Sequence, residues 1–187
     1  MGLREHSIAL ISVVVGLGLA DLLGNFNRLM RFRREVRWDA LSLAWALIAV
    51  LLVNNYWWGL YAGNVAATSA SSAGTFLVGL SLPVMLYLIC AAALPNARTP
   101  AGRDMRQCYL SESRYFFALV LLYILATLAQ TVVVSGAFRL TVPMSERLAI
   151  IAVLVPLLWL RRVGYHWFAT LLVLAVIAER LFEQALR

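Results

Sequence analysis

The sequence contains no lysine, and charged residues of any kind are few. They make up 13% of the 187 residues, whereas 63% of the residues are hydrophobic. A soluble domain has about 25% charged and roughly half apolar residues. The hydrophobic residues form runs of about 20, which is the length that crosses a bilayer. A soluble protein is therefore excluded, and the lipid bilayer is the predicted surrounding of the chain.

Residues that ligate metals or carry out catalysis are also scarce. The two cysteines, Cys90 and Cys108, have no surrounding His or Asp for a zinc site, and no HExxH, GxSxG, CxxC or GxxxxGK[ST] motif occurs. The two histidines, His6 and His166, are expected on opposite sides of the membrane and so cannot ligate one haem. We predict no catalytic residue, no metal and no cofactor.

The long hydrophobic runs predict an all-α polytopic membrane protein with six transmembrane helices and no sizeable soluble domain. Residues 1–187 form a single transmembrane domain in this prediction. The predicted helices cover residues 7–30, 39–61, 73–94, 113–134, 146–160 and 165–182. The fifth is short, because about 15 residues give roughly 22 Å against a hydrocarbon core of about 30 Å. It also contains Pro156, which predicts a kink in the helix.

The basic residues are all arginine, give a net charge of +7, and lie between the hydrophobic runs. The first, third and fifth connectors hold eleven arginines, and the termini and remaining connectors hold five. The positive-inside rule therefore predicts cytoplasmic odd-numbered connectors and an N-out, C-out topology. Because the arginines serve this topology and form no basic tail, we predict no nucleic-acid partner.

The first predicted helix carries a stripe of small residues at every fourth position. This α1 small-residue stripe consists of Ser12, Gly16, Ala20 and Gly24. Small side chains allow another helix to approach closely. The pattern therefore predicts helix packing on this face, and the partner is either another helix of the chain or a neighbouring subunit. A neighbouring subunit would make the chain part of a homo-oligomer or of a larger membrane complex.

A second face of the same helix is polar. Asp21, Asn25 and Arg28 follow one another at positions i, i+4 and i+7, and we call them the α1 polar face. A charged carboxylate near the centre of a membrane helix costs about 2.5–3.5 kcal/mol, so Asp21 must be protonated, paired with a cation or in contact with water. The polar face therefore lines an ion or proton path, or it is an acid paired with an arginine to fix helix packing.

Polar residues near the outer ends of three helices predict an outer vestibule. They are Asn54 and Asn55 on the second helix, Gln130 on the fourth and Glu179 on the sixth. The alternative is that these residues form hydrogen bonds with water and lipid headgroups at the interface. The sequence leaves both interpretations open.

The first 60 or so residues resemble a group of uncharacterised bacterial inner-membrane proteins with six helices. The resemblance rests on the pattern G-L-x-L-A-acid-L-L, here ending at Leu23 with Asp21 as the acid, on the arginine run from Arg31 to Arg37, and on Trp57 and Trp58 closing the second helix. It implies a multi-pass protein of the bacterial inner (cytoplasmic) membrane and implies no activity.

These observations favour a permeation or transport subunit that conducts ions or protons and assembles as a homo-oligomer. The alternative is a non-catalytic accessory or structural subunit that packs in a larger membrane complex through the α1 small-residue stripe. An enzyme is not predicted, because the catalytic groupings are missing.

Overall fold

A computed structural model describes residues 3–61, 73–95, 104–135 and 142–185, and these residues are almost entirely helical. They form six α-helices and one 3₁₀ helix. The α-helices are α1 (Leu3–Arg31), α2 (Ala40–Tyr61), α3 (Ala73–Ala92), α4 (Met105–Ser135), α5 (Val142–Leu154) and α6 (Val163–Ala185). The predicted all-α fold is therefore confirmed for the described residues.

Four of these helices are long and apolar enough to cross a membrane. The apolar stretches are Ile8–Arg31, Ala40–Leu60, Met105–Val132 and Val163–Phe182. In α3 the corresponding apolar stretch, Gly79–Ala92, is shorter, and α5 has 13 residues. Length and composition thus identify a membrane-embedded helical protein with four clear candidate spans.

The fourth helix begins earlier than the sequence predicts. It starts at Met105 rather than at residue 113, and it includes Arg106 and Arg114, which the sequence places in a connector. Asp104 caps this start, because its Oδ1 accepts a hydrogen bond from the backbone N–H of Gln107 at 3.0 Å. A capped helix extends beyond its apolar part, so hydropathy alone locates the helix start too late.

The fifth helix also differs from its predicted range of 146–160. It begins at Val142 and ends at Leu154, and a 3₁₀ helix, Val155–Leu158, follows. Pro156 lies at the start of this 3₁₀ helix and has no N–H to donate to the α-helical ladder. The α-helix thus ends just before the position of the predicted kink, and the chain then turns into α6.

Helices α2 and α4 lie at the centre of the bundle. Trp45 of α2 packs edge-on against Phe117 of α4, with ring centroids 4.9 Å apart. Helix α1 packs mainly on α3, whereas α5, the 3₁₀ helix and α6 pack on the other side against α2 and α4. The bundle therefore has two flanks, formed by α1 with α3 and by α5 with α6.

The starts of α2 and α4 are joined at one end of the bundle, which we call the Arg37 end. Asp39 caps α2 by accepting a hydrogen bond from the N–H of Ser42 at 3.1 Å. The Ser42 hydroxyl lies 3.3 Å from the carbonyl oxygen of Met105, and Arg37 lies 3.5 Å from the Asp104 carboxylate. Capping and helix pairing thus use the same residues.

Candidate functional site

The buried face of α1 follows a heptad spacing. Its buried residues are Ile11, Val15, Gly18, Leu22, Asn25 and Leu29. A Cβ atom at Gly18 would lie 2.9 Å from the Cα of Tyr87 on α3, so only glycine permits this distance between the two backbones. The close approach of α1 and α3 therefore uses Gly18 and not the α1 small-residue stripe.

The α1 small-residue stripe lies on the surface of the chain. Gly16 and Ala20 are exposed, and no described non-hydrogen atom beyond its own helix turn lies within 4 Å of a Cβ built at Gly16. Ser12 donates a hydrogen bond to the Ile8 carbonyl of its own helix at 2.6 Å, and a Cβ built at Gly24 lies 4.0 Å from Nη2 of Arg28, one turn further along the same helix. No other described helix thus lies against Gly16, and packing of the stripe on a second chain stays a prediction.

The α1 polar face lies at the border between the buried face and the stripe. Asn25 is 6% exposed, and its Oδ1 accepts a hydrogen bond from Nη2 of Arg28. The same Nη2 lies 4.0 Å from Oδ1 of Asp21, at the outer limit for an ion pair. Arg28 therefore interacts with both other residues of the predicted polar face.

The Asp21 carboxylate stays partly accessible in spite of this arginine. Its side chain is 43% exposed, compared with 31% for Arg28. At 4.0 Å and without a hydrogen bond, the pair offsets only part of the cost of a charge in hydrocarbon. Gly24, the last residue of the α1 small-residue stripe, follows Asp21 by three positions on the same helix.

A cavity of about 110 Å³ lies between α2, α4, α5 and α6. We call it the arginine cavity, because Arg147 of α5 and Arg180 of α6 line it. Its other polar lining residues are Asn55, Tyr123 and Thr127. Its apolar lining residues are Ile48, Leu52, Val120, Ile124, Ile150, Leu154, Val173, Val176 and Ile177.

The two arginines differ in their partners. Arg180 forms an ion pair with Glu146, with Nη2 2.9 Å and Nε 3.3 Å from the same carboxylate oxygen. Arg147 donates a hydrogen bond to the hydroxyl of Thr131 at 2.9 Å. Among the residues whose side chains the structure describes, it forms no ion pair with a carboxylate. A carboxylate therefore pairs with Arg180, whereas the hydrogen bond of Arg147 is to a neutral hydroxyl.

The predicted vestibule residues only partly coincide with the arginine cavity. Asn55 lines it, whereas Asn54 and Glu179 are exposed and Gln130 is half-buried without lining it. The sequence-based prediction did not include Arg147 and Arg180 among the site residues, because it used both arginines only to assign the membrane topology. The pair Glu146 and Arg180, separated by 34 positions, gave no local signal.

A third polar contact joins α4 to α6 at the Arg37 end. His166 is fully buried, with Nδ1 2.7 Å from the Tyr109 hydroxyl and Nε2 2.9 Å from the Leu160 carbonyl oxygen. Because that carbonyl only accepts, Nε2 carries the proton and donates, and Nδ1 accepts from Tyr109. Both ring nitrogens of His166 therefore have partners inside the bundle.

Comparison with protein-family models, curated proteins and solved structures finds no match to this chain. Its candidate sites are thus described by geometry alone.

The α1 polar face and the arginine cavity lie on opposite flanks of the bundle. The first belongs to the flank of α1 and α3, and α2 and α4 separate it from the second. Among the described residues no group of three or more His, Cys, Asp or Glu side chains is placed to hold a metal ion. The two sites therefore require separate functional arguments.

Proposed function

We propose that the chain is an ion- or proton-conducting permeation or transport subunit that assembles as a homo-oligomer. In this proposal it has six transmembrane helices in an N-out, C-out topology in a bacterial inner membrane. The α1 small-residue stripe forms the subunit contact, and the α1 polar face lines the cytoplasmic half of the path. The single observation that carries the proposal is the partial exposure of Asp21 beside an exposed small-residue stripe.

The physical argument concerns what surrounds this carboxylate in the membrane. In an isolated chain its exposed part faces lipid, at a cost of about 2.5–3.5 kcal/mol for the charge. A ring of chains packed through Gly16 and Ala20 brings several Asp21 side chains close together. Like-charged carboxylates in such a ring favour water and cations between them. Oligomerisation thus gives the acid a hydrated setting that the single chain lacks.

Flux measurements in proteoliposomes test the role of Asp21. A carboxylate about 4 Å from a cation contributes about 4 kcal/mol near a protein surface, so Asp21→Asn is expected to reduce proton or monovalent-cation flux by at least about tenfold. Asp21→Glu keeps the charge and should retain most of the flux. Glu35→Gln, which removes an exposed acid in the connector after α1, is the matched control. Equal flux through wild type and Asp21→Asn, with normal assembly, would contradict the proposal.

Reporter fusions test the proposed topology. A reporter that is active only in the cytoplasm should be active when fused near Arg103 and silent when fused at Arg187, because the odd-numbered connectors hold most of the arginines. The reverse pattern would contradict the N-out, C-out arrangement.

The second candidate is a non-catalytic accessory or structural subunit of a larger membrane complex. It is favoured by the contacts of Arg28 with both Asp21 and Asn25, which suit an acid held in place for packing. Here the stripe packs on a different protein. Native mass spectrometry of the complex extracted under mild conditions separates the two candidates: copies of this chain alone support the first, and a fixed stoichiometry with a second chain supports the other.

A further inference from the structure

We infer that the arginine cavity binds an anionic amphiphile, with a phosphate or carboxylate head at Arg147 and Arg180 and the adjoining hydrocarbon chain in the apolar part of the cavity. This binding site is separate from the proposed path at α1. It is supported by the arrangement of charge, by the depth of the apolar walls and by the size of the cavity.

Charge is concentrated at one end of the cavity. Arg147 lies near the start of α5 and Arg180 near the end of α6, so both are at the end of the bundle opposite Arg37. Glu146 pairs with Arg180, whereas Arg147 donates to the neutral hydroxyl of Thr131. A basic pocket between membrane helices attracts an anionic headgroup, and a guanidinium binds phosphate or carboxylate through two parallel hydrogen bonds.

Polar groups next to the arginines complete this end of the cavity. Asn55 of α2 and Thr127 of α4 line the cavity near the ends of their helices. The Thr127 hydroxyl donates its one proton to the carbonyl of Ile124 at 2.7 Å, so it is not a donor for the head. The amide of Asn55 offers both a donor and an acceptor. A head that carries oxygen atoms finds donors from three helices here.

The remaining walls are apolar over a considerable depth. On α5 the lining runs from Arg147 to Leu154, and on α6 from Arg180 to Val173. Seven residues on each helix correspond to about 10 Å along the helix axis. Such walls hold water poorly, so a simple hydrated anion would leave this part without a suitable occupant. A hydrocarbon chain attached to the head fits both parts at once.

The volume agrees with a hydrocarbon segment. About 110 Å³ is several times the 10–15 Å³ or so that one water molecule needs, and an apolar cavity of about 150 Å³ is known to hold benzene. The cavity thus accommodates the part of a chain nearest the head, and the rest of the chain lies among the surrounding lipids. A neutral amphiphile would offer no anion to Arg147 and is therefore disfavoured.

Calorimetric titration of the purified protein in neutral detergent tests the inference with three probes. Dodecyl phosphate carries both the head and the chain, inorganic phosphate carries only the charge, and dodecyl maltoside carries only the chain. We expect saturable binding of dodecyl phosphate that neither of the other two displaces at equal concentration. Displacement by inorganic phosphate would show a simple anion site, and displacement by dodecyl maltoside would show an uncharged site; either result overturns the inference.

Two pairs of variants locate the binding. Arg147→Gln should weaken dodecyl phosphate binding by about tenfold, as the loss of a charge-assisted hydrogen bond does. Arg161→Gln removes an exposed arginine at the other end of the bundle and should leave binding unchanged. Val176→Phe fills the apolar part and should also weaken binding, whereas Val13→Phe on the exposed surface of α1 should not.

The inference fails if dodecyl phosphate binds equally to wild type and to both cavity variants. Circular dichroism of every variant confirms that the helices are intact, so that weaker binding reflects the site. Lipid nanodiscs then distinguish the source of the head: enrichment of phosphatidylglycerol over phosphatidylcholine of the same chain length in the copurified lipid, lost in Arg147→Gln, indicates a membrane phospholipid. No enrichment, with dodecyl phosphate still bound, indicates a free anionic amphiphile.

Discussion

The two glycines Gly16 and Gly18 lie two residues apart on α1, and we expect their substitution by alanine to change the stability of the protein in opposite directions. A Cβ at Gly18 would lie 2.9 Å from the Cα of Tyr87, whereas a Cβ at Gly16 meets no described atom within 4 Å. Non-bonded carbon atoms are at optimal separation at about 3.5–4.0 Å. The Gly18→Ala variant therefore forces α3 away from α1 by roughly 0.6–1 Å, because a backbone atom cannot rotate aside as a side chain can.

The magnitude follows from two terms. Replacing glycine by alanine inside a helix stabilises it by about 0.5–1 kcal/mol, and this term is common to both variants. Overpacking costs about 1–3 kcal/mol and applies only to Gly18→Ala. The free energy of unfolding should thus differ between the two variants by about 1–3 kcal/mol. Since the helix-propensity term cancels in the comparison, its value in a membrane does not affect this difference.

Unfolding in mixed micelles by increasing the proportion of dodecyl sulfate measures this difference. Tryptophan fluorescence reports the transition, because the chain contains six tryptophans, and linear extrapolation gives the free energy. Gly16→Ala should be as stable as wild type or more stable, and Gly18→Ala less stable. Equal stability of the two variants would refute the assignment of Gly18 to the α1–α3 contact. A lower stability of Gly16→Ala that depends on protein concentration would instead indicate that the stripe joins two chains.

Three further substitutions test the other buried contacts by the same unfolding measurement. Tyr109→Phe leaves Nδ1 of the buried His166 without its donor and should destabilise by about 1–3 kcal/mol; no change would contradict the hydrogen bond at 2.7 Å. Tyr56→Phe removes a buried hydroxyl that has no hydrogen-bond partner among the described residues. The stability should therefore be unchanged or slightly raised, and a clear loss of stability would show that this hydroxyl has a partner. Asp104→Ala removes the cap of α4 and should cost about 0.5–2 kcal/mol, with Glu112→Ala on the exposed side of the same helix as the control.

The candidate sites could be predicted from sequence only where their signals are local. Asp21, Asn25 and Arg28 lie within two turns of one helix, so their spacing alone brings them together, and the contact between Arg28 and Asn25 agrees with that spacing. Arg147 and Arg180 lie on different helices and approach each other only because α5 and α6 pack side by side. No spacing rule connects residues that far apart in the chain, which explains why the arginine cavity was missed.

The sequence by itself determined the helical class, the membrane setting and the position of the irregularity at Pro156, because hydropathy and backbone chemistry act over neighbouring residues. It could not determine which face of α1 is buried. The small-residue stripe and the heptad of Val15, Leu22 and Leu29 are both suited to packing, and the heptad is the one that is buried in the tertiary structure. The reason is the partner surface: α3 presents the backbone at Tyr87 to α1, and only Gly18 on the heptad face leaves room for it.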